Sequence, residues 1–411
     1  MGEHKQDWLS AREATQRLGV KLQTLYAYAS RGFVTSVPGP KGRGRLYSAD
    51  DIARLKQRHD ARSGNAPVAA SALRWGEPAI ETAVSEVRKD GPAYRGRPLS
   101  SLLDAQVGFE AACELLWTGS LPAETPRWPV LELSLPKAFS QLRMPEQPIA
   151  GWAALLGALG LVTPFDNAVS EELEIARARG LIVWLASSVR QVKPPARPNL
   201  SVSVRLLEAY GLVPRPRIVD VVDRALLLCA DHELNASTFA ARVTASAGAN
   251  LCSSLSSAAH TLSGSLHGGM CARVEALLAE ARALRNPADV VTARLSRGEA
   301  VPGFGHPLYP DGDPRGIELL LQSERISRPP PDYRRMRTIC QSMRSAGQPA
   351  ATLDAGLVTL TCALGLPTGS AAAIFALGRM GGWVAHILEQ RRQGFIVRPR
   401  ARYVGPASAG I

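Results

Sequence analysis

Residues 302–309 read Pro302-Gly303-Phe304-Gly305-His306-Pro307-Leu308-Tyr309, and Asp313-Pro314-Arg315 follows directly. This stretch breaks a long region whose apolar residues recur every three to four positions, the period of an α-helix facing a core. Phe109–Leu116, Glu171–Val189, Arg217–Cys229, Arg273–Leu284 and Gly356–Leu364 carry that period. Alternating β-branched runs are few, so the spacing predicts a mainly α domain of many packed helices. Two further polar islands interrupt the helices in the same manner. One is Asp231-His232-Glu233-Leu234-Asn235-Ala236-Ser237-Thr238, with Ala247-Gly248-Ala249-Asn250 after it. The other is Gly264-Ser265-Leu266-His267-Gly268-Gly269. Three of the chain's seven histidines therefore sit in breaks between helices, two of them glycine-rich. Glycine lets backbone approach a ligand closely, and imidazole suits proton transfer near neutral pH. A fourth element, Leu353-Asp354 ahead of Gly365-Leu366-Pro367, adds a carboxylate.

The chain has 411 residues, 45% hydrophobic and 20% charged, enough for more than one domain and a large core. The longest apolar stretch, Pro148 to Pro164, is broken by Gly151, Gly157 and Gly160 and reads as a packed core helix rather than a membrane span. The opening residues, Met-Gly-Glu-His-Lys-Gln-Asp, lack the apolar segment of a secretory signal. Six cysteines lie scattered at 113, 229, 252, 271, 340 and 362, with no C-x-x-C and no metal-ligand spacing. Reduced thiols, a cytoplasmic location and no metal site are expected.

The net charge of +12 is uneven: residues 1–62 hold twelve Lys/Arg against six acids. A small basic module is a candidate for nucleic acid contact. Its local signals are clear. Ser10 and Glu13 form a capping box with Leu9 as its staple, and Ala11, Ala14 and Leu18 share one helix face. Gly19-Val20 gives a sharp turn. A second helix follows with Leu22, Leu25, Tyr26 and Ala29 inward and Gly32 as its stop. Pro38–Arg45 makes a basic, hairpin-like loop, and Leu46-Tyr47-Ser48 leads into a third helix. Helix, tight turn, helix, basic wing, helix is the order of a winged helix-turn-helix.

This N-terminal pattern, LSAREATQRLGVKLQTLYAYASRGFV…GRGRLYSADDIARL, resembles the DNA-binding domain of MerR-type regulators and excisionase-like proteins. The resemblance implies a reading helix with Lys21, Gln23, Thr24, Tyr26, Tyr28 and Arg31 on or near it. Lys41, Arg43 and Arg45 would then lie on the wing. A folded appendage that binds protein, or nothing, is the alternative. Residues 1–60 are assigned to this module and 61–72, small and polar with Pro and Gly, to a linker.

The remainder, 73–411, resembles citrate synthases, the family that includes 2-methylcitrate synthases. DHELNAST…AGAN, SLHGG, PGFGHPLY…DPR and FALGRMGGWVAHILEQ…RPRARYVGP stand in that family's order, and YRGR, FE and ELLWTGSLP precede them. The resemblance implies all-helical large and small domains, the small one at roughly 270–365. It also implies condensation of acetyl-CoA or propionyl-CoA with oxaloacetate, as in the tricarboxylic acid cycle. No cofactor is implied, since the acyl-CoA is a substrate.

Within that resemblance, Asp354 is the base that takes a proton from the carbon beside the thioester. His267 is the neutral donor at the thioester oxygen, and His306 polarises the 2-oxo carbonyl. His232, Arg315 and Arg379 hold the carboxylates of the oxo acid, for which arginine's fork is suited. Arg398 aligns with an arginine that reaches the site from a partner subunit, which implies a homodimer. Gly303, Phe304 and Gly305 border the CoA entrance. Ala355-Gly356-Leu357-Val358 after the aspartate, and Pro307 after His306, depart from the family's usual residues. Two other readings stand beside the enzyme. In one, a DNA-binding regulator uses its synthase-like domain to sense CoA thioesters or 2-oxo acids. In the other, an inactive synthase serves as a structural partner.

Overall fold

The computed structural model describes residues 8–30, 33–39, 44–53, 55, 80–131, 133, 135–139, 143–162, 169–192, 197–399 and 405. The chain divides into one unit of residues 1–81 and 399–411 and a second spanning Thr82–Arg398.

In the first unit, strand β1 (Trp8–Ser10) leads into helix α1 (Ala11–Leu18). The capping box is complete. Ser10 Oγ accepts the Glu13 N–H at 3.3 Å, and Glu13 Oε2 accepts the Ser10 N–H at 2.8 Å. Two of the four donors a helix start leaves unpaired are thus satisfied. Gly19 closes α1 in the left-handed region at φ 67°, where a side chain is strained. Helix α2 (Leu22–Ser30) follows.

Leu25 is its buried anchor, with Ala29 packed beside it. Leu22 and Tyr26, expected inward, are 45% and 50% exposed. The short interhelix turn fixes the rotation of α2 so that Leu25, not its neighbours on the adjoining stripe, meets α1. Strands β2 (Ser36–Pro38) and β3 (Arg45–Ser48) complete an antiparallel sheet of order β1-β3-β2, with Leu46 opposite both Ser10 and Val37. Leu46-Tyr47-Ser48 is therefore the central strand rather than a simple lead-in. Residues 49–53 and 55 are helical, and Ser48 Oγ accepts the Asp51 N–H at 3.3 Å. The Asp51 carboxylate turns instead to the Thr35 N–H at 2.8 Å. Gly32, Arg31, Lys41, Arg43 and the linker 61–72 lie outside the described residues.

The second unit opens with a small antiparallel sheet that helical periodicity does not reveal: β4 (Ser85–Arg88), β5 (Gly91–Tyr94) and β6 (Arg97–Pro98). Helices then follow in succession: α3 (Leu99–Asp104), α4 (Phe109–Thr118), α5 (Pro148–Val162), α6 (Glu171–Ser187) and α7 (Val202–Ala209). Next come α8 (Pro216–Cys229), α9 (Ala236–Ser246), α10 (Leu251–Leu262), α11 (Met270–Arg282) and α12 (Asp289–Ser296). The last are α13 (Pro314–Glu324), α14 (Pro331–Ser345), α15 (Leu353–Leu364) and α16 (Ser370–Gln393). Each of the five segments read as helical from periodicity coincides with one of these, displaced by a few residues at its ends.

Helix α16 is long and apolar enough to cross a membrane by length and composition, but 94% of its apolar window is buried within the protein. It is the core helix on which α4, α8, α9 and α15 pack. Close approach is possible because Gly378 and Gly382 lack side chains. A Cβ at Gly378 would stand 2.6 Å from the Leu226 carbonyl oxygen. Helix α5 packs along α10, as its apolar character requires, leaving Leu161 exposed at its end. Helices α11, α12, α14 and α15 pack on one another, and α13 lies along α15.

Candidate active site

Each of the three histidine islands is a helix junction. His232 lies between α8 and α9, His267 between α10 and α11, and His306 between α12 and α13. Asp354 sits in the first turn of α15, where the positive end of the helix dipole faces a carboxylate. Arg379 projects from the middle of α16 and is buried.

Two of the islands meet in one aromatic cluster. The rings of His232 and His306 stand edge to face at 5.7 Å, and both contact Tyr309. The Tyr309 hydroxyl hydrogen-bonds His232 Nε2 at 2.9 Å. The Arg315 guanidinium lies 5.5 Å from the Tyr309 ring centre. Arg315 is itself clamped by Asp313, with Nε to Oδ1 at 3.0 Å and Nη2 to Oδ2 at 2.9 Å. Both partners are buried. Burial alone would raise the Asp313 pKa, but Arg315 outweighs it and holds the carboxyl below its usual range. Arg379 donates from Nε to the Cys229 carbonyl at 2.8 Å and lies over Phe375.

Burial sets the state of the histidines, and these cations reinforce it. Burial pushes the His232 pKa well below its ordinary value, and Arg315, Arg379 and His306 push the same way. His306 is lowered by burial and Arg315, with Asp313 opposing. His267 is pushed down to about 4, by burial first and then by Arg379. All three rings are neutral near pH 7.

The environment of His267 also selects its tautomer. Its Nε2 meets the Ser237 hydroxyl at 2.9 Å and the Ser237 backbone N–H at 3.3 Å. The hydroxyl proton has a second taker, Asn235 Oδ1 at 2.7 Å, but a backbone N–H can only donate. That donor makes Nε2 the acceptor and places the ring proton on Nδ1. Trp383, one helical turn beyond Arg379 on α16, donates to the same Ser237 oxygen at 3.2 Å.

Asp354 is joined to this assembly through two contacts. The Cys271 thiol donates to its Oδ1 at 3.2 Å, and the preceding N–H, of Leu353, donates to Asp313 Oδ2 at 3.1 Å. Part of Asp354 remains accessible, yet the protein packed around its carboxyl pushes the pKa up; the Cys271 bond and Arg315 offset some of that rise, and Asp313 adds to it. The segment carrying His306 is fastened to the start of α15 as a short β-like pairing. Thr352 N donates to the Gly303 carbonyl at 2.8 Å, and Gly305 N to the Ala350 carbonyl at 2.9 Å. Gly303 has φ 84°, and a Cβ there would stand 2.6 Å from Val274 and 3.0 Å from Ala355. Glycine is the residue that lets α11, this loop and α15 converge. Phe304 is half-buried and Gly305 exposed. Gly356 plays a similar part: a Cβ there would meet the Gly316 carbonyl oxygen at 2.9 Å, so α13 and α15 touch beside the site.

His232, His306 and Arg315 are therefore in one cluster, with Arg379 and His267 linked to it electrostatically and Asp354 held at its side. Arg398 lies exposed beyond Gly394, and among the described contacts none ties it to the histidines. Sequence reasoning assigned no role to Cys271, Ser237, Tyr309 or Asp313. Tyr309, Asp313 and Ser237 lie inside motifs that signalled the site, whereas Cys271 gave no signal beyond lying near a histidine motif.

A family model described as citrate synthase, C-terminal domain, matches residues 72–400. The chain is 34% identical over 352 residues to putative citrate synthase 2 of Mycobacterium tuberculosis, covering 80% of this chain and 91% of the relative. It is 30% identical to citrate synthase 2 of Bacillus subtilis, over 80% of this chain and 94% of that protein. Its fold is similar to that of Thermoplasma acidophilum citrate synthase, solved with carboxymethyl coenzyme A and oxaloacetate. The TM-score there is 0.69 at 23% identity, covering 83% of this chain and 97% of that one. The chain belongs to the citrate synthase family, and it is a condensing enzyme of the transferase type. Enzymes of this family use acyl-CoA as a substrate and need no cofactor.

Proposed function

We propose that this enzyme condenses a short acyl-CoA, acetyl-CoA or propionyl-CoA, with oxaloacetate to give citrate or 2-methylcitrate and free CoA. The observation that carries the reading is the 264–271 segment, a turn running into α11. It holds a neutral imidazole, His267, and four residues later a thiol that touches the carboxyl of Asp354. A candidate base on α15 and a neutral donor are thereby tied together through one hydrogen bond, and deprotonation beside a thioester uses both kinds of group.

The Asp354 carboxylate takes a proton from the acyl α-carbon, and the C–H electron pair becomes the enol double bond. His267 donates from Nδ1 to the thioester oxygen as charge develops there. The enol double-bond pair then forms a C–C bond to the 2-oxo carbon, whose C=O π pair moves onto the oxygen that His306 polarises; that oxygen gains a proton to become the alcohol as the enol O–H gives one up. His232, Arg315 and Arg379 hold the oxo-acid carboxylates. Water finally breaks the thioester and releases CoA as a thiol. Gly303, Phe304 and Gly305 border the CoA path, and residues of roughly 270–365 form a small subdomain over it. A cytoplasmic homodimer, with Arg398 of the partner subunit completing each site, fits Arg398's exposed position. Relatives named as citrate synthase and as 2-methylcitrate synthase, the latter from M. tuberculosis and 29% identical, support either donor. One methylene separates the two by only about 1–3 kcal/mol of pocket packing.

The test is thiol release by the purified full chain with oxaloacetate and each acyl-CoA. Turnover is expected, with His267→Ala slower by about 10²–10³-fold. No release with any short acyl-CoA from folded wild-type protein would rule the reading out.

A second reading concerns the N-terminal module assigned to residues 1–60: a DNA-contacting arm on the enzyme. What favours it is the exposed start of α2: Lys21, just before the helix, and Gln23 and Tyr26 on it are exposed, and Thr24 is half-exposed. Arg45, assigned to the wing, donates from Nε to Ser36 Oγ at 3.0 Å, which ties it to β2. The expected result is binding to fragments of its own upstream DNA that weakens steeply with salt. Equal binding by protein lacking residues 1–62 would refute it.

A further inference from the structure

We propose that Cys271 is a positioning residue for Asp354: its thiol holds carboxyl oxygen Oδ1 and leaves Oδ2 as the one oxygen that meets the substrate. The inference rests on reading Asp354 as the base. The geometry is one directed side-chain contact, Sγ to Oδ1 at 3.2 Å, made by a cysteine only 1% exposed, beside the carboxyl's bond with its own backbone N–H. Among the described residues, no other side chain hydrogen-bonds this carboxyl. Cys271 is the second residue of α11, and Asp354 the second of α15, so the bond joins the first turns of two packed helices. Gly303 fills the space between them, and α11 continues the turn that carries His267. The contact therefore sets the base relative to the thioester donor, and not only its charge.

A free carboxylate is two-fold symmetric about its last torsion, and that torsion is soft. Without a partner on Oδ1, rotation carries Oδ2 off the line to the α-carbon, and small misplacements of a reacting atom are expensive. A thiol suits this position. It is a weak donor, so it orients the oxygen while depressing its basicity less than a hydroxyl or amide would. Burial and the charge of Asp354 raise the Cys271 pKa well above the ordinary value, so the thiol keeps its proton to donate. The other groups facing Asp354 are Arg315 and Asp313 at the start of α13, and Cys229 at the end of α8. Neither Cys271 substitution below changes them.

The experiment titrates the Asp354 carboxyl by ¹³C NMR in full-length wild type, Cys271→Ala and Cys271→Ser, alongside the kcat–pH profile of each. In Cys271→Ala the Asp354 titration and the acid limb of kcat are expected to move up together by about half to one pH unit. Plateau kcat should fall about tenfold, with KM for acyl-CoA changed less than about twofold. Cys271→Ser, whose hydroxyl donates more strongly, should leave the titration in place or lower it and recover most of kcat. An unmoved titration in Cys271→Ala, or an upward move in Cys271→Ser, overturns the proposal. If the wild type shows no turnover, the function proposed above fails, while the NMR titration still decides whether the thiol holds the carboxyl.

Discussion

Asp354→Asn is expected to lower kcat by about 10²–10⁴-fold, the range lost when a positioned general base is removed. The same change should leave thermal stability equal or higher. The amide is nearly isosteric and can still accept from the Cys271 thiol, while the charge that the surrounding protein disfavours is gone. The pH dependence follows from the raised pKa. Below the unfolded carboxylate range both proteins carry a neutral side chain and the wild type pays no penalty. As pH rises from there through the elevated folded pKa, the wild type loses stability that the Asn variant keeps. Its melting temperature relative to Asp354→Asn should therefore fall across that window and level off above it.

Activity should have the opposite dependence: with Asp354 as the base, the acid limb of kcat is expected above the ordinary carboxylate range. His267, at about 4, titrates too low to shape the neutral region. Thermal melts and kcat measured on the same samples check both halves. Retained kcat in the Asn variant would remove Asp354 from the chemistry.

Asp313→Ala is expected to cost about 3–5 kcal/mol of stability, because it leaves the buried Arg315 guanidinium without its counter-charge. It also removes the acceptor of the Leu353 N–H at the start of α15. The folded Asp313 pKa lies below its unfolded value, so the pair contributes fully above the unfolded value and is lost as pH falls through the folded one. The gap between wild type and Asp313→Ala should thus persist from neutral pH down to about 4 and close only in stronger acid.

Equilibrium urea unfolding reads this as a lower midpoint. A double replacement, Asp313→Leu with Arg315→Met, should recover much of the stability without restoring activity, since two apolar groups satisfy the space but bind no carboxylate. If the single variant costs under about 1 kcal/mol, the pair is more solvated than its burial indicates. KM for the oxo acid should rise more than KM for acyl-CoA in any folded Asp313 variant, because Arg315 loses its fixed fork.

Helical character, the capping box at Ser10 and Glu13, the turn at Gly19 and the three histidine-bearing breaks are local properties. Each depends on residues a few positions apart, and periodicity or capping chemistry exposes them directly. His232, His267, His306, Asp354, Arg315 and Arg379 were singled out as candidates from motif order and the family resemblance, which needed no knowledge of distance. The burial of Leu25 rather than Leu22 and Tyr26 was not, since rotation of α2 depends on what it packs against. Strands β4–β6 escaped because two- to four-residue strands are too short for alternation to register.

Only the tertiary structure joined Cys271 to Asp354, Ser237 to His267 and Tyr309 to His232, pairs separated by 83, 30 and 77 residues. Whether a histidine is neutral, which of its nitrogens carries the proton, and how basic a carboxylate becomes are set by burial and by charges brought from distant segments. The sequence by itself named the candidate groups; the packing of α8, α11, α13, α15 and α16 decided their protonation and their neighbours, because electrostatics and hydrogen bonds act through space and not along the chain.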